Sequence, residues 1–326
     1  MNNNKELLKK LEGISFLSDQ DIDLGFVDTG SYALNRVVSG KYSGGWPIGR
    51  IVEIMGNPST GKTLFISQAF AAAQKLGYFT IMLDNEFAYD SDFAKKLGVD
   101  PTQLIYDAPD TVPGCFEKAE ELMLKIREHD KETPIVIAID SLAGQSNKEK
   151  EKDIKDFDNM DGSNRAKEIG QCLRHINPLL RENKALLLTI NQIRSKPNVM
   201  YGSPDTRSGG GRALEFYCGV CLTLTSNKTS DVIRDKKEHP IGIKGRIKNT
   251  KNKVTIPFME CDFELIYDMG LNRFYGLEQA VLDAGLIEKS GAWYTIKSTG
   301  KKFQGEDNLQ AFLINDPGVI AYLEEN

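Results

Sequence analysis

The chain has 326 residues, 40 % apolar and 27 % charged, a composition that supports a sizeable core and excludes collagenous, low-complexity and wholly disordered chains. Lys plus Arg number 41 against 46 for Asp plus Glu, a formal charge of −5, which argues against attraction of nucleic acid by the whole surface but leaves local basic patches open. The best apolar run, Ala185–Ile190, is about a third of the roughly 20 residues that cross a bilayer, and the opening MNNNKELLKKLEGIS lacks a secretory apolar stretch, so a cytoplasmic chain without a membrane partner is expected.

In chain order, Asn4 caps a short amphipathic helix with Leu7, Leu8 and Leu11 on one face. A helix this short gains little alone and must dock, on its own core or on a neighbouring subunit. From Gly49 the pattern is strand, loop, helix, repeated. Arg50–Met55 reads as a strand, followed by a glycine-rich loop and a helix carrying Phe65, Ile66, Ala69, Phe70 and Ala73 at helical spacing. Strand Phe79–Leu83, helices Asp92–Leu97 and Gly114–Glu128, strand Pro134–Asp140, a helix at about Arg165–Arg181 and strand Ala185–Asn191 follow. Gly219–Leu224, Gly242–Asn249 and Val254–Pro257 read as strands with antiparallel connections, and Trp293–Phe303 as a hairpin. Continuous apolar strands alternating with helices predict an α/β fold, a mostly parallel sheet flanked by helices. The expected division is an N-terminal helical segment at 1–28, the main α/β core at 29–267 and a small α+β C-terminal domain at 268–326.

Asn147–Gly162, highly charged and aperiodic, and Ser195–Gly211, with Pro197, Pro204 and a glycine triplet, resist assignment; loops that long in a compact domain are usually functional or disordered. The five cysteines, Cys115, Cys172, Cys218, Cys221 and Cys261, form no disulfide framework and suit a reducing compartment. Cys218 and Cys221 fall inside FYCGVCLTL, read as one strand, where residues three apart face opposite ways; two small buried side chains are expected rather than joint metal ligands. His129, His175 and His239 have no metal-ligand spacing.

Gly56-Asn57-Pro58-Ser59-Thr60-Gly61-Lys62-Thr63 matches GxxxxGK[ST] between a strand and a helix, the context this phosphate-binding loop requires. Its backbone N–H groups and the helix N-terminus, opened by Leu64, surround phosphates. Lys62 is expected to reach the β- and γ-phosphates of ATP, and Thr63 to put its hydroxyl on Mg²⁺. The apolar strand IVIAID ends on Asp140-Ser141, where Asp140 holds the same Mg²⁺ through water. Hydrolysis also needs a carboxylate to orient water, and chemistry alone leaves Asp84, Glu86 and Asp90 open.

GRIVEIMGNPSTGKT, LDNEFAYDSDFAKKLGVD, AIDSLAG, LLLTINQIRSKPNVMYGSPDTRSGGGRALEFY, KNKVTIPF and LIEKSGAWY together closely resemble the RecA family of homologous-recombination ATPases, in order from about Gly30 to Pro317. The resemblance implies ATP-dependent polymerisation on single-stranded DNA, and strand exchange with a homologous duplex by a helical homo-oligomeric filament served by single-strand-binding and loader proteins. It assigns the catalytic glutamate to Glu86 and the adenine-contacting acid to Asp90. Phe93 stands where the family often has a base-stacking tyrosine. Gln192 matches the sensor of the γ-phosphate, and Lys251 and Lys253 match lysines reaching the ATP of the neighbouring subunit, so that assembly and hydrolysis become one event.

Between Arg194 and Arg212 the cations Arg194, Lys196, Arg207 and Arg212 stand against the single acid Asp205, a net +3. With Met200, Tyr201 and the triplet Gly209, Gly210 and Gly211, this loop is suited to a single strand's phosphates and bases; the resemblance makes it the second DNA-binding loop. The first, at 147–162, departs strongly from the family, and Met160 is its candidate intercalator. Arg174 matches a phosphate contact, with Lys167 a weaker candidate. Lys244, Arg246 and Lys248 share one strand face, and residues 244–253 hold five cations and no acids, a route for a second DNA or a subunit contact.

The region before Gly30, the glycine triplet and an end at Glu325-Asn326 without a long acidic tail suit a phage-encoded or divergent member resembling the UvsX-like recombinases, in a bacterial cell or a phage-infected host. A ring-forming helicase of the same core fold and a non-exchanging recombination mediator or paralogue are the rival readings.

Overall fold

The computed structural model describes residues 24–143, 162–194, 206–207, 211–226, 231–297 and 299–326. The expected N-terminal helix and most of both long loops lie outside the described residues. After β1 (Phe26–Val27) come α1 (Tyr32–Ser39), β2 (Trp46–Pro47), β3 (Ile51–Gly56), α2 (Lys62–Lys75), β4 (Phe79–Asp84), α3 (Ser91–Lys96), β5 (Leu104–Asp107), α4 (Val112–His129) and β6 (Ile135–Asp140). There follow α5 (Gly162–Glu182), β7 (Ala185–Arg194), β8 (Thr206–Arg207), α6 (Gly211–Tyr217), β9 (Val220–Thr225), β10 (Val232–Arg234), β11 (Pro240–Asn252), β12 (Glu260–Ile266) and β13 (Gly270–Leu271). The C-terminal elements are α7 (Glu278–Asp283), β14 (Ile287–Ser290), β15 (Trp293–Ile296), β16 (Lys302–Gln304), α8 (Glu306–Leu313) and α9 (Pro317–Glu325).

The main sheet has the order β13-β12-β11-β9-β3-β7-β6-β4-β5. From β9 to β5 the strands are parallel, and β11, β12 and β13 extend one edge antiparallel. The parallel strands read as unbroken apolar runs because both faces are covered. In β6, Val136 and Ala138 join the layer under α2, where Phe65, Ile66, Ala69 and Phe70 are buried. Ile135, Ile137 and Ile139 face the opposite layer, with Phe116, Ala119 and Met123 of α4 and Ile169, Leu173 and Ile176 of α5. A separate antiparallel sheet, β14-β15-β16, packs with α8 and α9 on a third cluster that includes Tyr32 and Tyr42 near α1. Arg273 ties this end to the chain start: Nη1 donates to Asp28 Oδ2 at 2.5 Å, and the guanidinium lies 4.0 Å from the Tyr32 ring centroid.

Local chemistry sets the helix ends. Ser31 Oγ accepts from Leu34 N to start α1, which Gly40 terminates at φ 85°, a conformation that costs glycine nothing. Thr111 caps α4, with Pro113 in its first turn, where the missing N–H loses no helical bond.

Two expectations need correction. Val254–Pro257 is a turn rather than a strand: β11 runs on to Asn252, whose Oδ1 accepts from the N–H groups of Val254 and Thr255. A side chain that satisfies the backbone locally competes with strand pairing. FYCGVCLTL is not one strand either, because Phe216 and Tyr217 end α6 and Cys218 lies at the junction before β9. α1 and β5 are not among the elements expected from the sequence.

Candidate active site and nucleic-acid face

Parallel register aligns the carboxyl ends of four strands, with Gly56 opposite Gln192 and Asp84 opposite Asp140. Ligands of open α/β sheets bind at this edge. A cavity of about 300 Å³ lies there, lined by loop residues Pro58, Ser59, Gly61, Lys62, Thr63 and Leu64 and by Glu86, Asp140 and Gln192. Gly61 has φ 86° and no side chain caps α2, so the positive end of the helix opens on the cavity. Lys62 Nζ donates to the carbonyls of Gly56 at 3.0 Å and Asn57 at 2.8 Å. Thr60 Oγ1 donates to Asn57 O at 2.9 Å and braces the loop.

Thr63 Oγ1 donates to Asp140 Oδ2 at 2.8 Å. Burial pushes the Asp140 carboxyl up to about 6; Glu86 and Asp84 add to the rise, while the Thr63 hydrogen bond and the Lys62 charge oppose it. Burial also lowers the Lys62 ammonium, against the pull of Asp140 and Glu86. A hydroxyl beside a buried carboxylate is a hard-oxygen donor pair suited to Mg²⁺, which usually takes one or two carboxylates and keeps several waters.

The three acids left open by chemistry have different surroundings. Asp84 is buried and occupied, accepting from Glu86 N, Tyr89 N and Tyr106 OH. Asp90 caps α3, accepting from the N–H groups of Asp92 and Phe93. Neither it nor Phe93 lines the cavity. Glu86 does, and its Oε1 accepts from the Ser141 hydroxyl and, at 3.5 Å, from Gln192 Nε2. Asn85, which the sequence reading passed over, accepts from Ser141 N at 2.6 Å; only the pairing of β4 with β6 brings it there.

Lys251 and Lys253 stand away from this cavity. Lys251 Nζ donates to the carbonyls of Glu215, Phe216 and Cys218, and Lys253 Nζ to Phe216 O at 2.9 Å. Both therefore cap the carboxyl end of α6, where cations are favoured. Burial, and then repulsion from Lys253, lowers the Lys251 ammonium. The Lys253 ammonium lies 6.0 Å from the centroid of the Phe216 ring, which is 73 % exposed.

Of the residues expected to meet DNA, Lys167 and Arg174 are exposed on α5, two turns apart and so on neighbouring parts of one face. Arg194 ends β7, Arg207 lies in β8, and Gly211 and Arg212 open α6; β8 pairs with β7 at Ile193 and Arg194. Lys196, Met200, Tyr201, Gly209, Gly210 and Met160 lie outside the described residues. The cations of β11 are not alone on their face. Lys244, Arg246 and Lys248 register with Glu264, Asp262 and Glu260 of β12. Arg246 Nε donates to Asp262 at 2.7 Å and its Nη1 to Glu260 at 3.2 Å, and Lys244 lies 3.5 Å from Glu264. Cross-strand pairing thus supplies acids that a local count of charge misses.

Comparison with known proteins adds one family model and three relatives, all of one kind. The family model described as RecA N-terminal domain matches residues 7–272. The protein named RecA from Heliobacterium modesticaldum is 38 % identical over 298 residues, 91 % of this chain and 81 % of the relative. That of Kineococcus radiotolerans is also 38 % identical, over 92 % of this chain and 81 % of its own length, and that of Nocardioides sp. 35 % identical over 93 % and 81 %.

Proposed function

The chain belongs to the RecA family, and on that premise we propose how its own residues divide the work of binding ATP, hydrolysing it and gripping DNA. As a member it is a DNA-dependent ATPase and recombinase that assembles on single-stranded DNA and exchanges strands with a homologous duplex. No helix among the described residues is long and apolar enough to cross a membrane.

Gly56 to Leu64 hold the triphosphate, and Lys62 leaves its carbonyl partners to meet the β- and γ-phosphates. Thr63 and Asp140 hold Mg²⁺, which when bound neutralises charge on the transferred phosphoryl group. Glu86 orients a water and takes its proton, with Ser141 fixing the carboxylate. Gln192 carries the state of this carboxylate along β7 to Arg194, where the second DNA-binding loop begins. Asp90 and Phe93 serve the adenine. Lys251 and Lys253 act on the nucleotide of an adjoining protomer, which requires release from the end of α6. Arg174, Lys167 and the loop from Arg194 to Arg212, with Lys196, Met200, Tyr201, Arg207 and the triplet Gly209–Gly211, contact the single strand; Arg246 and Lys248 serve a second DNA. The division into 1–28, 29–267 and 268–326, the service of single-strand-binding and loader proteins, and residence in the cytoplasm of a bacterial or phage-infected cell complete the proposal.

The observation that carries this reading is the sharing of Glu86 Oε1 by Ser141 and Gln192 in the cavity that also holds Lys62, Thr63 and Asp140. ATP hydrolysis measured with and without single-stranded DNA, beside a strand-exchange assay, tests it. Stimulated turnover with exchange is expected; discrete rings on long single strands, or turnover indifferent to DNA, would count against it.

A further inference from the structure

Glu53, Cys218 and Cys221 meet in the interior, on a face of the sheet that no step above uses. Glu53 stands in β3, directly opposite Cys221 of β9. Cys218 follows the end of α6 and its N–H donates to Leu214 O. The helix-to-strand junction turns the chain between the two cysteines, so their sulfurs converge instead of pointing to opposite faces. One carboxylate oxygen and both sulfurs lie within 4.8 Å of one another, and all three residues are buried.

We propose that Glu53, Cys218 and Cys221 form a binding site for one thiophilic divalent cation of the Zn²⁺ class. A tetrahedral Zn²⁺ with Zn–S near 2.3 Å separates its sulfurs by about 3.8 Å and accepts a carboxylate oxygen at about 2.0–2.2 Å, spacings that fall inside the 4.8 Å that encloses the three donor atoms. The chain supplies three donors, so a fourth ligand has to enter with the cation.

The surroundings fit a charged centre better than a plain apolar core. A glutamate with no exposed surface in a central strand is costly unless its charge is compensated. The cation would offset two of the three negative charges of two thiolates and one carboxylate, beside the contacts Glu53 already makes. On binding, each thiol releases its proton to solvent. Asn191 Nδ2 donates to Glu53 Oε1 at 2.9 Å, orienting the carboxylate as outer partners of metal ligands do. Because Asn191 Oδ1 in turn accepts from Gln192 N, the site buttresses both Gln192 and the end of α6 without touching the nucleotide cavity.

Co²⁺ is the probe. The full chain, reduced and freed of metal with chelator, is titrated anaerobically with Co²⁺ in its native state and, in parallel, during refolding, since the centre is closed to solvent. The expected result is one Co²⁺ per chain with near-ultraviolet sulfur-to-cobalt charge transfer and the visible bands of a tetrahedral centre, all displaced by Zn²⁺. Cys218→Ser and Cys221→Ser should each weaken the charge transfer and Co²⁺ affinity, whereas Cys115→Ser, at another buried thiol, should leave both intact. Glu53→Gln should keep the sulfur bands and weaken affinity by about tenfold or more. Zn²⁺ should raise the melting temperature of the wild type and not of the Cys218→Ala/Cys221→Ala double variant, a readout that serves even where a single variant folds poorly. Absence of sulfur-to-cobalt bands in both titrations, with all five thiols free in denaturant, would overturn the site. So would bands that persist in the double variant, or a metal-free Cys218–Cys221 disulfide in the purified protein. None of these outcomes bears on ATP hydrolysis, so the two readings fail separately.

Discussion

Gln192 Nε2 lies 3.5 Å from Glu86 Oε1, linking the end of β7 to the carboxylate beside the phosphate-binding loop. At this length the contact is weak and can be exchanged for one with a phosphate oxygen at little cost. Gln192→Ala is therefore expected to retain ATP binding and lose most of the stimulation by single-stranded DNA. Glu86→Gln keeps the shape and the Ser141 contact but removes the proposed base, so turnover should fall by about 10²–10⁴-fold while filaments persist. Fluorescent-nucleotide binding and steady-state hydrolysis separate the two effects.

Lys62→Ala should abolish turnover and weaken nucleotide binding by about 1.5–3 kcal/mol, the range for a hydrogen bond to a charged group. Thr63→Ala removes the hydroxyl that meets Asp140 and should raise the Mg²⁺ concentration needed for half-maximal hydrolysis. Removal of Mg²⁺ with chelator should stop hydrolysis in every variant.

Lys251 and Lys253 hold the carboxyl end of α6 in the single chain, so the variants Lys251→Ala and Lys253→Ala should lose about 0.3–1 kcal/mol of stability and nearly all DNA-stimulated turnover. Action across a protomer junction has a specific signature. Lys253→Ala and Glu86→Gln protomers, each inactive alone, should recover hydrolysis when mixed, since some junctions then pair an intact lysine with an intact glutamate. No recovery across mixing ratios would argue that both residues serve one protomer's ATP.

Asp28 gives a pH dependence. Burial alone would raise its carboxyl, but the Arg273 charge and hydrogen bonds from Arg273, Asn35 and Gly30 N outweigh it and hold the carboxyl below the ordinary 3.8. A depressed folded-state value stabilises the protein above the unfolded value, and that contribution disappears as pH falls through the folded one. Chemical denaturation below about pH 4 should therefore show a loss of stability that Asp28→Asn largely lacks, the variant being less stable at neutral pH.

Salt reads out the phosphate contacts. Affinity for single-stranded DNA should fall linearly on logarithmic axes, and Arg174→Ala should reduce the slope by about 0.7 if its guanidinium meets one phosphate. Arg246→Ala should change the slope less than Arg174→Ala does, because Asp262 and Glu260 already neutralise that side chain.

What was legible in the sequence was local. The phosphate-binding loop lies within eight consecutive residues, Gly56 to Thr63, and its glycines and lysine act through neighbouring backbone. The parallel sheet showed as unbroken apolar strands because burial on both faces removes polar residues from each strand independently. Choice among the acids after β4 was not local: Asp84 is consumed by Tyr89 N and by Tyr106 OH from β5, a strand the sequence reading did not include.

The family, the alternation of the central strands with their helices and the loop for phosphates could all be read from the residues in order, since each rests on residue types at short spacing. What lies across the strands follows from the packed sheet: acids opposite Lys244 and Arg246, two lysines on the end of α6, and Glu53 against Cys218 and Cys221. Those meetings depend on strand register and on where a helix stops, quantities set by the packing of the whole sheet rather than by any segment within it.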